Sequence, residues 1–242
     1  MAFKLEEHEG AGLDQLDTQA AMPILRIIQD GSPIVKKSDP AHEEKKIDGA
    51  EAGDLVFQST EALKEVEAIM LHQQISYTEW SGGKPVAYHP LTIVNDPRYK
   101  ARGHNPAKPN SEGLGENQLD KTNNTFIKFR SSDNEDWQLG IIPFTSSSLK
   151  DGSGWAKKVT VLKYDNGMRA AIFCSVWKIK TKPMSNDKGS WYGWDISFDR
   201  LLDLKEDQAL LQQNSSDRES AVSDATQLGG SKQPQLETDE PF

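Results

Sequence analysis

Thr125-Phe126-Ile127-Lys128-Phe129-Arg130 and, after a short polar gap, Trp137-Gln138-Leu139-Gly140-Ile141-Ile142-Pro143-Phe144 read as two neighbouring β-strands. Side chains of an extended chain alternate between faces, and both runs are rich in the β-branched and aromatic residues that suit a pleated surface. The polar residues 131–136 between them read as a hairpin turn. The rhythm continues with a strand at 168–180, a turn at 183–189 and a strand at 191–198. Residues 146–161 offer one short helix anchored by Leu149, Trp155 and Val159. A mainly β fold with one or two short helices and long loops follows, and a small barrel is a natural way to close it.

Toward the amino terminus, Pro23-Ile24-Leu25-Arg26-Ile27-Ile28-Gln29 is strand-like and Gly31-Ser32-Pro33 is a turn. A second turn cluster at 47–54 precedes Leu55-Val56-Phe57. Residues 63–80 are ambiguous: Ala62, Leu63, Val66, Ile69 and Met70 fit a helical stripe, whereas Ile75 and Tyr77 suit a strand, and the reading favours a strand over 66–80. Residues 95–124 are rich in Asn, Pro, Gly and Lys and read as a long loop. All six Trp and all five Tyr fall between 77 and 194, which places the principal core there. Beyond Leu211 the chain lacks any aromatic until Phe242 and offers little to bury against the entropy of ordering. The expected organisation is a flexible acidic segment at 1–21, a β-rich domain at 22–202 and a disordered acidic tail at 203–242.

The 242 residues are 36% hydrophobic and carry a formal net charge of −9. That total conceals an asymmetry, since residues 1–54 contribute −6, residues 55–202 contribute +3 and residues 203–242 contribute −6. Electrostatic footprints are local, so a mildly basic middle between acidic ends is compatible with a polyanionic partner. The single cysteine, Cys174, excludes an intramolecular disulfide and a cysteine-based zinc cluster. No run of apolar residues is long enough for a membrane helix and the first 30 residues lack a secretory pattern, so a cytoplasmic protein is expected.

Three groups of residues could engage a ligand. Aromatic side chains concentrate in Ser190-Trp191-Tyr192-Gly193-Trp194, where strand alternation puts Tyr192 and Trp194 on one face beside Lys188, and Trp155 is a further candidate ring. Exposed rings of this kind stack on unpaired bases; the competing reading is that they are core. Basic residues form the second group: Arg98, Lys100 and Arg102 flank Tyr99 in the long loop, Lys128 and Arg130 alternate with apolar residues, and Lys178, Lys180 and Lys182 share one strand face. A lysine row equally protects a sheet edge from pairing. The third group is the tip Asp239-Glu240-Pro241-Phe242, an acidic aromatic end suited to a pocket rimmed by Arg or Lys, or else an ordinary solvated tail.

The tip resembles the acidic, Phe-terminated end of bacterial single-stranded-DNA-binding proteins and their phage counterparts. Residues 186–194, Phe144-Thr145-Ser146-Ser147-Ser148-Leu149-Lys150, Trp155, residues 23–33 and residues 49–54 are similar to a family of tailed-phage proteins regarded as single-stranded-DNA-binding. The resemblance implies an OB-like barrel and sequence-independent binding of single-stranded DNA in replication or recombination. It also implies that the tip recruits replication or recombination proteins and competes with DNA.

No His-Glu-x-x-His, phosphate-loop or Gly-x-Ser-x-Gly pattern is present, so a binding protein without cofactor or metal is expected rather than an enzyme. A virion or assembly protein is the alternative, and a metal-dependent nuclease built from scattered carboxylates such as Asp133, Glu135 and Asp136 is a third. Oligomeric state is open, a homodimer included.

Overall fold

The alternation at 125–130 belongs to a strand much longer than the hexapeptide, and that strand's partner is the equally long run after Leu63. In the computed structural model, which describes residues 23–57, 61–106, 111–131, 136–187 and 189–228, β4 (Glu65–Ser81) and β8 (Asn117–Ser131) pair antiparallel from Val66↔Ser131 to Trp80↔Gln118. The extended alternative for 66–80 therefore prevails over the helical one. Its Val66, Ala68 and Met70 enter one buried cluster, while Ile69 and Leu71 enter another on the opposite face. A two-sided apolar strand of this kind can read as a helical stripe.

This pair is a spine to which shorter strands attach at each end. With β8 on one edge of β4, its other edge takes β10 (Ser175–Asn186) over Glu65–Ile69 and β5 (Lys84–Pro90) over Ser76–Ser81. The free edge of β8 likewise takes β9 (Gln138–Thr145) at one end, and at the other β7 (Glu112–Leu114), which pairs in turn with β6 (Tyr99–Lys100). β11 (Gly189–Leu201) completes the eight strands by pairing with β10. No pairing among the described residues joins β11 to β6 or β9, so the sheet stays open and the expected barrel closure is not found. The segment expected as a long loop at 95–124 contains β6, β7 and the first residues of β8. The strand expected from 168 begins at Ser175 and runs past Pro183 to Asn186.

A separate three-stranded sheet, β1 (Leu25–Ile27), β2 (Leu55–Phe57) and β3 (Glu61–Leu63), covers one face of the spine. Besides the single-turn α1 (His42–Lys45), there are α2 (Leu149–Thr160) and α3 (Gln208–Leu228). The inner face buries Met70, Ile127, Phe129, Phe144, Trp177 and Trp194 under the small sheet and under Trp155 and Val159 of α2. Close approach of α2 needs Gly152, because a Cβ there would sit 2.6 Å from the Phe144 ring. Gly53, at φ +95°, plays the same part under Tyr192, whose backbone N–H and carbonyl are both bonded by the Gln29 side chain.

Helix α3 covers the outer face, where Ile69, Leu71, Phe126, Val176 and Leu202 meet Leu210, Leu211 and Ala221. Its presence corrects the expectation of a structureless chain from 203: residues 208–228 are helical. The few apolar residues it carries find a preformed patch, and Asp217 finds a buried lysine, compensations that local composition does not reveal.

Leu71 is an extra residue in β4, a bulge between the Met70↔Ile127 and His72↔Phe126 pairs. Before it the inward residues are Val66, Ala68 and Met70; after it they are Gln73, Ile75 and Tyr77.

Candidate nucleic-acid interface

Inward positions along the spine change character past the bulge. The main cluster gives way to the polar pair Gln73 and Thr125, joined by a 3.0 Å hydrogen bond, and then to Ile75 opposite Asn123. Apolar character returns in a satellite cluster of Tyr77, Leu114 and Leu119. Over this polar waist lies a cleft of about 310 Å³. Its walls are Arg102 and Glu112 on one side, Leu149, Lys150 and Ser153 of α2 on the other, with Ile75, Lys121 and Asn123 from the spine. Gln73 fixes the α2 wall by donating a second bond, 3.2 Å, to the Gly152 carbonyl.

The charges of the cleft are not equivalent. Buried Glu112 accepts hydrogen bonds from the Tyr99 hydroxyl at 3.0 Å and from Arg102 Nε at 3.3 Å, so its charge is engaged. Burial, together with this carboxylate, pushes the Tyr77 and Tyr99 hydroxyls up and keeps them protonated. Lys121 and Lys150 have no ion pair among the described residues, which leaves the cleft positive. Burial also raises the Asp151 carboxyl, against the opposing fields of Lys150 and Lys182. A second, shallower depression formed by Ser147, Asn186, Gly189, Ser190 and the half-buried Trp191 borders the short 3-10 turn Ser146–Ser148, which runs directly into Leu149 and Lys150 of α2.

A family model described as Pam3 phage gp34-like protein matches residues 2–227. The chain belongs to this family. It is therefore a phage protein, and no curated protein and no solved structure matches it. No helix among the described residues of this gp34-like chain is long and apolar enough to cross a membrane, and no cluster of three potential metal ligands occurs among them.

Measured against the site expected from sequence, the gp34-like fold brings only Arg102 to the cleft and Trp191 to its neighbour. Trp155 and Trp194 are 1% and 6% exposed and pack on Trp177 and Phe144, so neither ring can stack on a base. Tyr192 shares the Trp194 side of β11, as alternation requires, but that face is the core, and its ring rests on Gly53. Lys128 is buried and bonded to Asp217 at 2.7 Å, which removes it from any phosphate. Arg130 pairs with Glu67 at 2.6 Å and lies over the Trp137 ring. Lys178 faces Asp199 at 3.6 Å, and Lys180 is flanked across the ladders by Asp195 and Glu65. This lysine row is thus part of a mixed-charge surface: β10 is flanked on both sides as far as Lys180, whereas Lys182, 3.9 Å from Asp195, lies beyond the β4 pairing, where one edge of the strand is unpaired among the described residues. Arg98 is held by Asp96 at 2.8 Å, Tyr99 by Glu112, and Lys100 lies 3.5 Å from Glu116. Lys188, Asp239, Glu240, Pro241 and Phe242 lie outside the described residues, as do Asp133 and Glu135.

The cleft residues missed at the sequence level had one readable signal. Lys121, Asn123 and Thr125 precede Ile127 and Phe129 at every second position, so they continue the inward register of β8 as a polar stretch.

Proposed function

We propose that this phage protein binds single-stranded DNA without sequence preference in the host cytoplasm, as a binding protein in replication or recombination rather than an enzyme. One observation carries the reading: a half-buried indole, Trp191, and a cleft with two ammonium groups, Lys121 and Lys150, that have no ion pair among the described residues flank the same short turn. Stacking on an aromatic combined with cations that follow the backbone is the general means of holding a single strand. Ser146, inside that turn, has φ +44°, a strained conformation of the kind that concentrates at functional sites. The tip Asp239-Glu240-Pro241-Phe242 would recruit replication or recombination proteins.

Fluorescence titration with oligo-dT tests the reading. Binding should weaken steeply with salt, and Trp191→Ala should cost about 1–3 kcal/mol. Replacing Lys121 and Lys150 together by Ala should lower the slope of log affinity against log salt by about 1.4, at ~0.7 per cation on a single strand. Affinity indifferent to salt and to all three changes would refute it.

A second reading, a protein of the virion or its assembly, is favoured by the pairing of Arg98, Arg130, Lys178 and Lys128 with carboxylates and by the burial of Trp155 and Trp194. Co-purification with particles, without retention on single-stranded DNA, distinguishes it.

A further inference from the structure

Asn123 is a polar side chain that the reading above leaves unused. It is 3% exposed, it lines the cleft, and its Oδ1 has no hydrogen-bond partner among the described residues. Neighbours on the same strand do not share this defect: the Thr125 hydroxyl accepts from Gln73, and the Asn124 amide donates to Ser76 at 2.9 Å. Buried amide oxygens nearly always have a donor; this one is sealed from solvent as it stands, so a donor brought by a ligand reaches it once the amide turns. A half-turn of the amide about χ2 presents either its oxygen or its nitrogen to the cleft.

The surroundings specify the ligand's chemistry. Ile75 lies directly across the ladder from Asn123, and Leu149 of α2 lines the same cleft, so the amide shares it with two apolar side chains. Lys121 and Lys150 supply positive charge, while the Glu112 carboxylate is occupied by Arg102 and Tyr99. A flat ring with an adjacent donor and acceptor on its edge, carrying an anion, satisfies all three requirements. Asparagine pairs with base edges in two-bond fashion for the same reason. The volume of about 310 Å³ falls at the lower end of the range for small-ligand sites.

We propose that the cleft is a pocket for a single nucleotide, in which one unpaired base bonds to the Asn123 amide between Ile75 and Leu149 while its phosphate lies on Lys121 and Lys150. This rests on the single-stranded-DNA reading and adds to it a discrete site where a base leaves the stack. Binding along the strand then has a fixed register point.

The test is calorimetric titration of the full chain with thymidine 5′-monophosphate, with inorganic phosphate as the anion control, on the unmodified protein and on Asn123→Leu. The nucleotide should bind about tenfold more tightly than phosphate, and Asn123→Leu should lose about that factor. Because the leucine removes an unsatisfied acceptor, its Tm should be unchanged or higher; Asn123→Ala gives the same reading if leucine does not fold. Equal affinities for nucleotide and phosphate, or full nucleotide affinity in the variant, overturn the pocket. Salt-dependent oligo-dT binding without nucleotide binding overturns the pocket and leaves the DNA reading standing. Nucleotide binding without oligo-dT binding does the reverse.

Discussion

Lys128 holds its ammonium at a position 2% exposed, with Asp217 of α3 at 2.7 Å as its counter-charge. A buried pair of this sort contributes little net stability, because desolvation offsets most of the attraction, yet removing one partner strands the other. Asp217→Asn should therefore lower the unfolding free energy by about 3 kcal/mol in urea denaturation, while Lys128→Met combined with Asp217→Leu should restore most of the loss. If Asp217→Asn leaves the midpoint unchanged, the pair does not anchor the helix. Gly53 invites a second test at this scale: an alanine there would place Cβ 2.6 Å from the Tyr192 ring on a backbone at φ +95°. Gly53→Ala should cost about 1–3 kcal/mol by overpacking and strain.

At the level of elements, His72 of β4 links α3 to pH, because Arg218 of that helix acts on its imidazole. Burial, with a smaller effect from Arg218 on the helix, holds the His72 imidazole below its ordinary value of 6.5. The unfolded chain then takes up the proton first. The stability owed to neutral His72 is complete above pH 6.5 and declines as the pH falls toward the lowered folded value. Proteolysis within 208–228 should accordingly be faster at pH 5.5 than at pH 7.5, and His72→Gln should flatten that difference; an equal rate in both buffers would remove His72 from the account. Ending the chain at Asp207 should expose Ile69, Leu71, Phe126, Val176 and Leu202 and cause aggregation on heating. Sequence patterns revealed the strands at 125–130, 137–144 and 191–198 because β-branched and aromatic residues repeat there. They concealed α3, since Leu210, Leu211 and Ala221 are too few to declare a helix, and its docking partner Lys128 reads as a surface residue in an alternating strand. The cleft was legible only in part. Arg102 and Trp191 stood out by type, whereas Asn123 gains its meaning from the burial that the β4–β8 ladder imposes.

The molecule as a whole is a two-strand spine with unequal cores at its two ends, fifteen buried residues in the main cluster against three in the satellite among the described residues. Local opening follows buried apolar contact, so amides of Ser76–Ser81 should exchange with deuterium well before those of Val66–Met70. Similar protection along the whole of β4 would mean that the two ends unfold together. The Leu71 bulge gives the spine one more property. It switches the parity of inward residues partway along a single ladder, so a lone insertion or deletion between the bulge and Ile75 would turn Ile75 outward and remove apolar surface from the cleft. Length variation among phage relatives in this interval should come in steps of two, a pattern that genome comparison can read without any protein being made.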